Sequence, residues 1–431
     1  MAPRIHIYDE FGPEDTAMMQ ALYSRSAKSV TEHVEKVRET GSGSFMEKFY
    51  VGYGHASIAD CGSTTIFIEG VSMLVAKAVQ DWPLYSGQET SSRYINMAAQ
   101  PIKDPVQTPE SKAILERWMN FYISSQEAVK DHVRDTFPKK PDENEVVYEK
   151  AVVARSFDIL RGFLPAGVTT QLSWHTNLRQ AHDKLSSLVY HPLKEVRDVA
   201  EEILKQLRAK YGHSFAHKVY EEQEEYRKTV AETLTYYTGK RVPSGFAAMT
   251  TIRNADLKPF KKILKNRPAK AVLPHILTEL GELSFECLID FGSFRDLQRH
   301  RNGVCRMPRL GTSFGFEKWY LEALPVDVRE EAEALIKLQR QSINALPANA
   351  DEKQYYCAMG FLVSAKMTYG LPAATYVMEL RSGKTVHATL RAVAHKMYRF
   401  MSRRFPEVTL HPDLSLDDWD VRRGLHDIKE R

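Results

Sequence analysis

The sequence predicts a mixed α+β chain built as a duplicated domain, with long helices around a small, mostly antiparallel sheet. Three observations carry that expectation. The chain has 431 residues, more than one ordinary domain of about 100–200 residues. A β-branched, alternating run at Thr64–Ile68 passes into a helix-like stretch, Met73–Gln80. The same shape returns where Leu283–Asp290 is followed by Phe291–Arg299. Asp81 and Arg299 then correspond, an offset of 218 positions, almost half the chain. The expected division is 1–218 for the first domain and 219–431 for the second.

Taken in order, the segments fit this plan. The N-terminal stretch carries Asp9, Glu10, Glu14 and Asp15 where a signal peptide needs a basic start and an apolar centre. A Gly54-His55 opening precedes the first strand. The apolar run Ile66–Val79 is broken by Glu69, Ser72 and Lys77 and is too short to span a bilayer. Pro138–Glu145 reads as a polar loop, and Pro347–Gln354 plays the same part in the second half. The helical runs Asn177–Lys205 and Tyr369–Arg403 resemble one another. Between them, Lys258–Lys270 is strongly basic but punctuated by Pro259 and Pro268, so it holds at most a short helix. A solvated helix face fits it better than a nucleic-acid patch, because no aromatic residues are interleaved.

Composition excludes several classes. Apolar residues are 43% and charged residues 26%, which rules out a disordered, collagenous or coiled-coil chain. The net charge of +4, from 59 basic and 55 acidic residues, does not demand a nucleic-acid partner. Cys61, Cys287, Cys305 and Cys357 lie far apart, without a CxxC pair or metal-ligand spacing. A cytoplasmic protein without disulfides, metal or membrane segment is expected.

Three segments stand above background. Ser86–Tyr94 packs hydroxyls, Glu89 and Arg93 into nine residues after a helix, a set suited to a phosphate monoester. Taken alone, a helix cap with a paired surface arginine is the better account of it. Arg299-His300-Arg301 sets two guanidinium groups around an imidazole, suited to a pyrophosphate or an electron-rich ring; a basic helix end is the plainer account. The third is a pair of related helical segments. One carries Leu164-Pro165, Thr170, Trp174, Asn177 and Arg179, continuing to Glu195-Val196-Arg197. The other carries Glu379-Leu380-Arg381, then His387 and Arg391 on one helical face.

Together, in order and spacing, these segments resemble the flavin-dependent thymidylate synthases, the ThyX family. That family shows a Gly-His-x-Ser element, an Ile-Glu-Gly-Val-Ser junction and the motif RHRxxSxNExSxRY, then Leu-Pro, Asn-x-Arg, Glu-Leu-Arg and Glu-Ile-Arg. The first half matches at Gly54-His55-Ala56-Ser57 and Ile68-Glu69-Gly70-Val71-Ser72. It matches again at Ser86, Glu89, Ser91, Arg93 and Tyr94, with Gln88 in place of the Asn, and at Asn177-Leu178-Arg179. The departures are complementary. Asp81-Trp82-Pro83 stands where RHR belongs in the first half, and Ser187-Leu188 replaces Leu-Arg. The second half keeps RHR and Arg381. It has Val304, Arg306, Met307 and Arg309 in the places of Ser, Asn, Glu and Ser, and Gly370-Leu371-Pro372 for Asn-x-Arg.

The resemblance implies two diverged ThyX-like copies in one chain, and reductive methylation of dUMP to dTMP. Methylenetetrahydrofolate is the one-carbon donor, and FAD, reduced by NADPH, supplies hydride. It implies that Arg299, His300 and Arg301 hold the flavin and polarise the uracil, and that His55, Ser57, Asn177 and Arg179 meet the cofactor. Ser86, Glu89, Ser91 and Arg93 would bind the nucleotide, with Arg381 clamping the pyrimidine or its phosphate. The family is a homotetramer with sites between chains, so a fused chain is expected to form a homodimer acting as a pseudo-tetramer, with a composite site drawn from both halves. Asp296 stands where the family has Gln, which leaves a different uracil nucleotide open. A non-catalytic flavin- or nucleotide-binding relative is the other alternative.

Overall fold

A computed structural model describes residues 10–26, 29–90, 97–238, 245–416 and 418–422. The chain is α+β, with helices and, among the described residues, two small sheets. It forms two compact units that interleave along the sequence. One comprises Met1–Gly70, Ala78–Glu89 and Gln171–Thr235; the other comprises Val71–Lys77, Thr90–Thr170 and Tyr236–Arg431.

Strand β1 (Ser63–Ser72) pairs with β2 (Thr169–Asn177) in a two-stranded sheet. The junction read from the sequence is reproduced, since β1 runs straight into the helix Met73–Gln80. In the first unit, the helix Leu178–Leu188 buries Leu178, Ala181, Leu185 and Leu188. The helix Lys194–Lys210 buries Val196, Ala200, Ile203, Leu204 and Leu207. Apolar residues three and four apart make one stripe on each helix, so each buries one face and leaves the other polar. The run expected as one helix from Asn177 is thus two, because Pro192 breaks the helical ladder and disfavours helical backbone at His191. Arg197 donates to the carbonyls of His191 (2.7 Å) and Pro192 (2.8 Å), satisfying the break. The later run divides in the same way, into Leu371–Ser382 and Ala388–Arg404.

The second unit holds a four-stranded antiparallel sheet of β3 (Phe246–Thr250), β4 (Glu282–Asp290), β5 (Gly303–Arg306) and β6 (Leu362–Gly370), in the order β3-β4-β6-β5. Register places Phe285 and Cys305 on either side of Met367. Alternation along β4 sends Leu283, Phe285, Cys287 and Ile289 into the core, each apolar side chain contributing about 1.5–3 kcal/mol of burial. The helix Ala388–Arg404 packs over this face, with Phe400 edge-on to Phe285 at 6.0 Å.

Traces of duplication are visible in the hydrogen bonds. Ser72 Oγ accepts from Val75 N at 3.2 Å, and Asp290 Oδ2, 218 positions on, accepts from Ser293 N at 2.9 Å. Both cap the helix that follows a strand. Two matching loops also exchange bonds reciprocally. Ala166 N donates to Cys357 O and Met359 N to Leu164 O, both at 2.9 Å; Gly167 N donates to Tyr355 O (2.9 Å) and Gly360 N to Gly162 O (2.7 Å). That reciprocity is the pattern of a local two-fold. Glycine is required at both ends of it. A Cβ on Gly167 would lie 2.7 Å from the Lys103 carbonyl oxygen, and one on Gly360 would lie 2.3 Å from the Phe316 ring.

The basic segment resolves into short helical turns, Lys258–Phe260 and Lys261–Lys265. Its Arg267 turns inward, paired with Glu379 and donating to the Thr409 carbonyl at 2.9 Å. Among the described residues no helix is long and apolar enough to cross a membrane.

Candidate functional site

In the second unit, β4 leads through the Asp290 cap into the helix Phe291–Gln298, and Arg299 is that helix's C-cap. Asp296, Arg299 and His300 therefore stand together at the helix end. Arg381 reaches them from the last turn of Leu371–Ser382. Its Nε donates to His300 Nε2 at 2.6 Å, and its Nη2 donates to the Asp296 carbonyl at 2.8 Å. The His300 ring lies edge-on to Tyr376 at 5.9 Å. Three residues predicted for the site, Arg299, His300 and Arg381, are thus brought together, with Arg301 next in the chain.

The electrostatics follow from the packing. Burial, and then the Arg381 charge, push the His300 imidazole down to about 3, so the ring is neutral. Because Nε2 accepts from Arg381, the proton sits on Nδ1. Burial alone would raise the Asp296 carboxyl, but Arg299, Arg161 and Arg381 outweigh it and hold Asp296 ionised. Its carboxylate lies 3.7 Å from Arg299 Nε and 3.8 Å from Arg161 Nη1. The result is a cationic surface with a neutral donor imidazole, able to receive an anion or an electron-rich ring.

The first-half residues lie in the first unit. Ser86 and Glu89 form bridges to His175 and Leu172 on β2, and His175 N donates to the Ser86 carbonyl at 2.7 Å. The Glu89 carboxylate accepts from Gln80 Nε2 at 2.7 Å. His55 and Ser57 are exposed, His55 just before and Ser57 within the short 3-10 helix Ala56–Cys61 that follows Gly54, whose φ of +69° suits glycine. Asn177 caps the helix Leu178–Leu188, accepting from Gln180 N at 2.8 Å. Arg179 donates to Asp60 at 2.7 Å and lies 3.4 Å from Asp183. Ser91 and Arg93 fall outside the described residues.

A cavity of about 880 Å³ opens beside Arg179 within the first unit. Its walls include Tyr50, His182, Arg208 and His217, none of them singled out from the sequence. The His182 and His217 ring centres lie 4.0 Å apart with the planes tilted by 30°, and Tyr50 meets His217 edge-on at 5.0 Å. Burial, and then the neighbouring His182, lower His217 to about 4. His217 lies beyond the matched motifs and contacts residues far back in the chain, so no local signal marks it.

The degenerate positions have acquired other partners. Lys184, nearly buried, donates to the Asp81 carbonyl at 2.8 Å and lies over the Trp82 ring at 5.6 Å. In the second unit, Tyr237 N donates to the Met307 carbonyl at 2.8 Å. Arg306 lies over the Tyr237 ring at 5.4 Å and Arg309 over the Tyr236 ring at 4.5 Å. Val304 pairs with Thr368 just as Ser86 bridges His175. His387 and Arg391 serve the fold: His387 bonds Thr389 and the Asp158 carbonyl, and Arg391 donates to the Ser382 and Ser415 carbonyls.

Comparison with known proteins bears on this arrangement. Residues 7–211 match the family model described as thymidylate synthase complementing protein, Thy1. UPF0159 protein Ta1429 of Thermoplasma acidophilum is 23% identical over 483 aligned positions, covering 93% of this chain and 94% of that protein. A UPF0159 protein of Chlamydia pneumoniae is 23% identical and one of Chlamydia muridarum 26% identical, each covering 82% of this chain and 77% of the relative. The relatives span both halves, while the family model covers the first. Over residues 7–211 the chain is thus similar to the thymidylate synthase complementing proteins, Thy1.

Proposed function

We propose that the chain is a FAD-dependent thymidylate synthase that methylates dUMP to dTMP with methylenetetrahydrofolate and NADPH, using residues of both halves. The observation that carries the reading is the Arg299–His300–Arg381 cluster, held by the 2.6 Å bond between Arg381 and His300. The donor set suits a flavin, because fixed guanidinium groups complement a reduced, anionic ring and the neutral imidazole can donate to a ring heteroatom. When bound, FAD supplies the hydride that the reduction needs. Arg299, His300 and Arg301 would hold it, with Arg179, Asn177, His55 and Ser57 contributing from the first half.

The chain's own residues then do the polar work. His300 keeps its proton on Nδ1 and donates it as a hydrogen bond rather than as an acid, since the ring is neutral. Arg381 orients the imidazole and presents its remaining N–H groups to the nucleotide. Ser86, Glu89, Ser91 and Arg93 would take the nucleotide, a role the second half has given up at Val304 and Met307. No thiol competes as nucleophile at Cys287 or Cys357, because burial raises each to about 12. A different uracil nucleotide is the second reading, favoured by the ionised Asp296 where the family has a neutral amide.

Reconstitution with FAD tests the assignment. Arg301→Ala should weaken flavin affinity about tenfold or more, the loss of one charge-assisted bond worth ~1.5–3 kcal/mol. Arg93→Ala and Arg301→Ala should each abolish turnover. If sites form between chains of a homodimer, a mixed oligomer of the two should recover part of it. Unchanged flavin affinity in Arg301→Ala counts against the site.

A further inference from the structure

We propose that the cavity beside Arg391 in the second unit is a binding site for a small organic anion, a carboxylate or phosphate carried on an apolar body. The site goes beyond the flavin and nucleotide reading and shares no residue with it. The cavity measures about 390 Å³, within the range of small-molecule sites, about 300–1,000 Å³. It opens between the helices Gln126–Thr136 and Glu145–Leu160, the start of the helix Ala388–Arg404, and the chain at Leu416 and Asp418. Much of the wall is apolar, with Val133, Ile159, Trp319 and Ala323 lining it and Leu416 standing 95% exposed beside them. The Trp319 ring is set edge-on against the buried His387 at 4.8 Å.

Arg391 gives this wall its charge. It is only 5% exposed. Its Nε donates to the Ser382 carbonyl at 3.0 Å and its Nη2 to the Ser415 carbonyl at 2.7 Å. Both acceptors are neutral, and among the described residues no carboxylate pairs with the guanidinium and nothing accepts from Nη1. Carbonyl dipoles satisfy two donors but leave the charge itself uncompensated, which is costly in a buried group. The carboxylates of the wall do not supply the counter-charge. Asp418 is committed to Arg155 through bonds of 2.5 and 3.2 Å, with both groups nearly buried. Glu322 is exposed to water. An anion entering the cavity therefore meets a preorganised guanidinium with a donor to offer, the setting in which a charge-assisted bond is strongest.

The first unit shows what the fold alone asks of this arginine. The helices Lys194–Lys210 and Ala388–Arg404 are both 17 residues long, and each carries an arginine at its fourth position, Arg197 and Arg391. Arg197 answers the carbonyls at the preceding helix break with Nη1 alone, from a half-buried position. Arg391 meets the same demand through Ser382, and is in addition buried against a cavity. A bare inorganic anion would use the guanidinium and leave the apolar wall wet. An anionic head at Arg391 with an apolar body against Trp319 and Ile159 uses both parts of the site.

The test titrates the full-length chain with phenylacetate and, in a parallel arm, with phenyl phosphate. Nitrogen–proton NMR follows the indole signals of the 5 tryptophans, with Trp319→Phe identifying the one in the wall. The Trp319 signal should move saturably, with a Kd on the order of 1 mM for the better anion, while Trp174, buried in the first unit, stays still. The tighter arm tells a carboxylate head from a phosphate. Phenylacetamide has the shape of phenylacetate without its charge and should bind about tenfold more weakly or worse. Ala323→Phe fills the cavity and leaves the bonds of Arg391 in place, so it should abolish the shift. Arg391→Met should weaken binding by about tenfold; should that variant fail to fold, the amide and Ala323→Phe decide the question. Equal binding of the amide, binding that survives Ala323→Phe, or a Trp319 signal that neither anion moves overturns the site.

Discussion

Replacing Arg381 by methionine is the sharpest perturbation of the site. Methionine keeps the length and the apolar packing of the side chain while removing the charge and the donor. In the wild type, burial comes first among the causes that hold His300 at about 3, and the Arg381 charge comes second. The Arg381 Nε–H also bonds the neutral form of the ring directly, at 2.6 Å. A hydrogen bond to a charged group is worth ~1.5–3 kcal/mol, which corresponds to ~1–2 pH units. Arg381→Met should therefore raise the His300 midpoint from about 3 by ~1–2 units, with burial keeping it below the ordinary histidine value. The proton should also lose its preference for Nδ1. The assay is NMR titration of protein labelled at the histidine rings, with His300→Gln identifying the signal among 15 histidines. A midpoint that does not move, in a variant whose melting temperature is unchanged, refutes the claim that Arg381 sets the state of the imidazole.

Other outcomes follow from the same geometry. Asp290→Ala removes a helix cap and leaves the buried Tyr320 hydroxyl without its acceptor, so urea denaturation should show a loss of about 2–4 kcal/mol. Ser72→Ala, at the matching cap, should cost about 1 kcal/mol. His387 is buried and held down to about 4 by burial first and the Arg161 charge second; its folded value lies below its unfolded one, so its contribution is whole above pH ~6.5 and is lost as pH falls toward 4. Denaturation across that window should show a slope of at most ~1.4 kcal/mol per pH unit from this residue, removed in His387→Gln. Equilibrium dialysis should find one dUMP bound per chain, because the second-half loop carries Val304 and Met307 and is engaged by Tyr237; two per chain would show that the degenerate loop still binds nucleotide.

Local signals were legible where local physics dominates. The β-branched run before Met73–Gln80 and its echo before Phe291–Gln298 mark strand-to-helix junctions, and the structure places both within a residue or two of the expected positions. The RHR cluster and Arg381 were named through the resemblance to the ThyX family, and a helix end and a neighbouring helix bring Arg299, His300 and Arg381 together. What stayed hidden depends on contacts far apart in sequence. Arg161 meets Ser293 and Tyr320 across 132 and 159 positions, and no periodicity announces such a pair. Arg267 was read with the solvated basic face, yet Glu379, 112 positions away, draws it into a buried ion pair. The long helical runs were read through Pro192 and Gly383, where the structure divides each into two helices.

Release of tritium from dUMP labelled at C5, with FAD, NADPH and methylenetetrahydrofolate supplied, tests the central claim most directly. Methylation at that carbon must expel its hydrogen, so the account predicts release by the wild-type chain, dependent on methylenetetrahydrofolate, and its loss in Arg301→Ala and in Arg93→Ala. A flavin-loaded chain that binds dUMP and releases no tritium would contradict it.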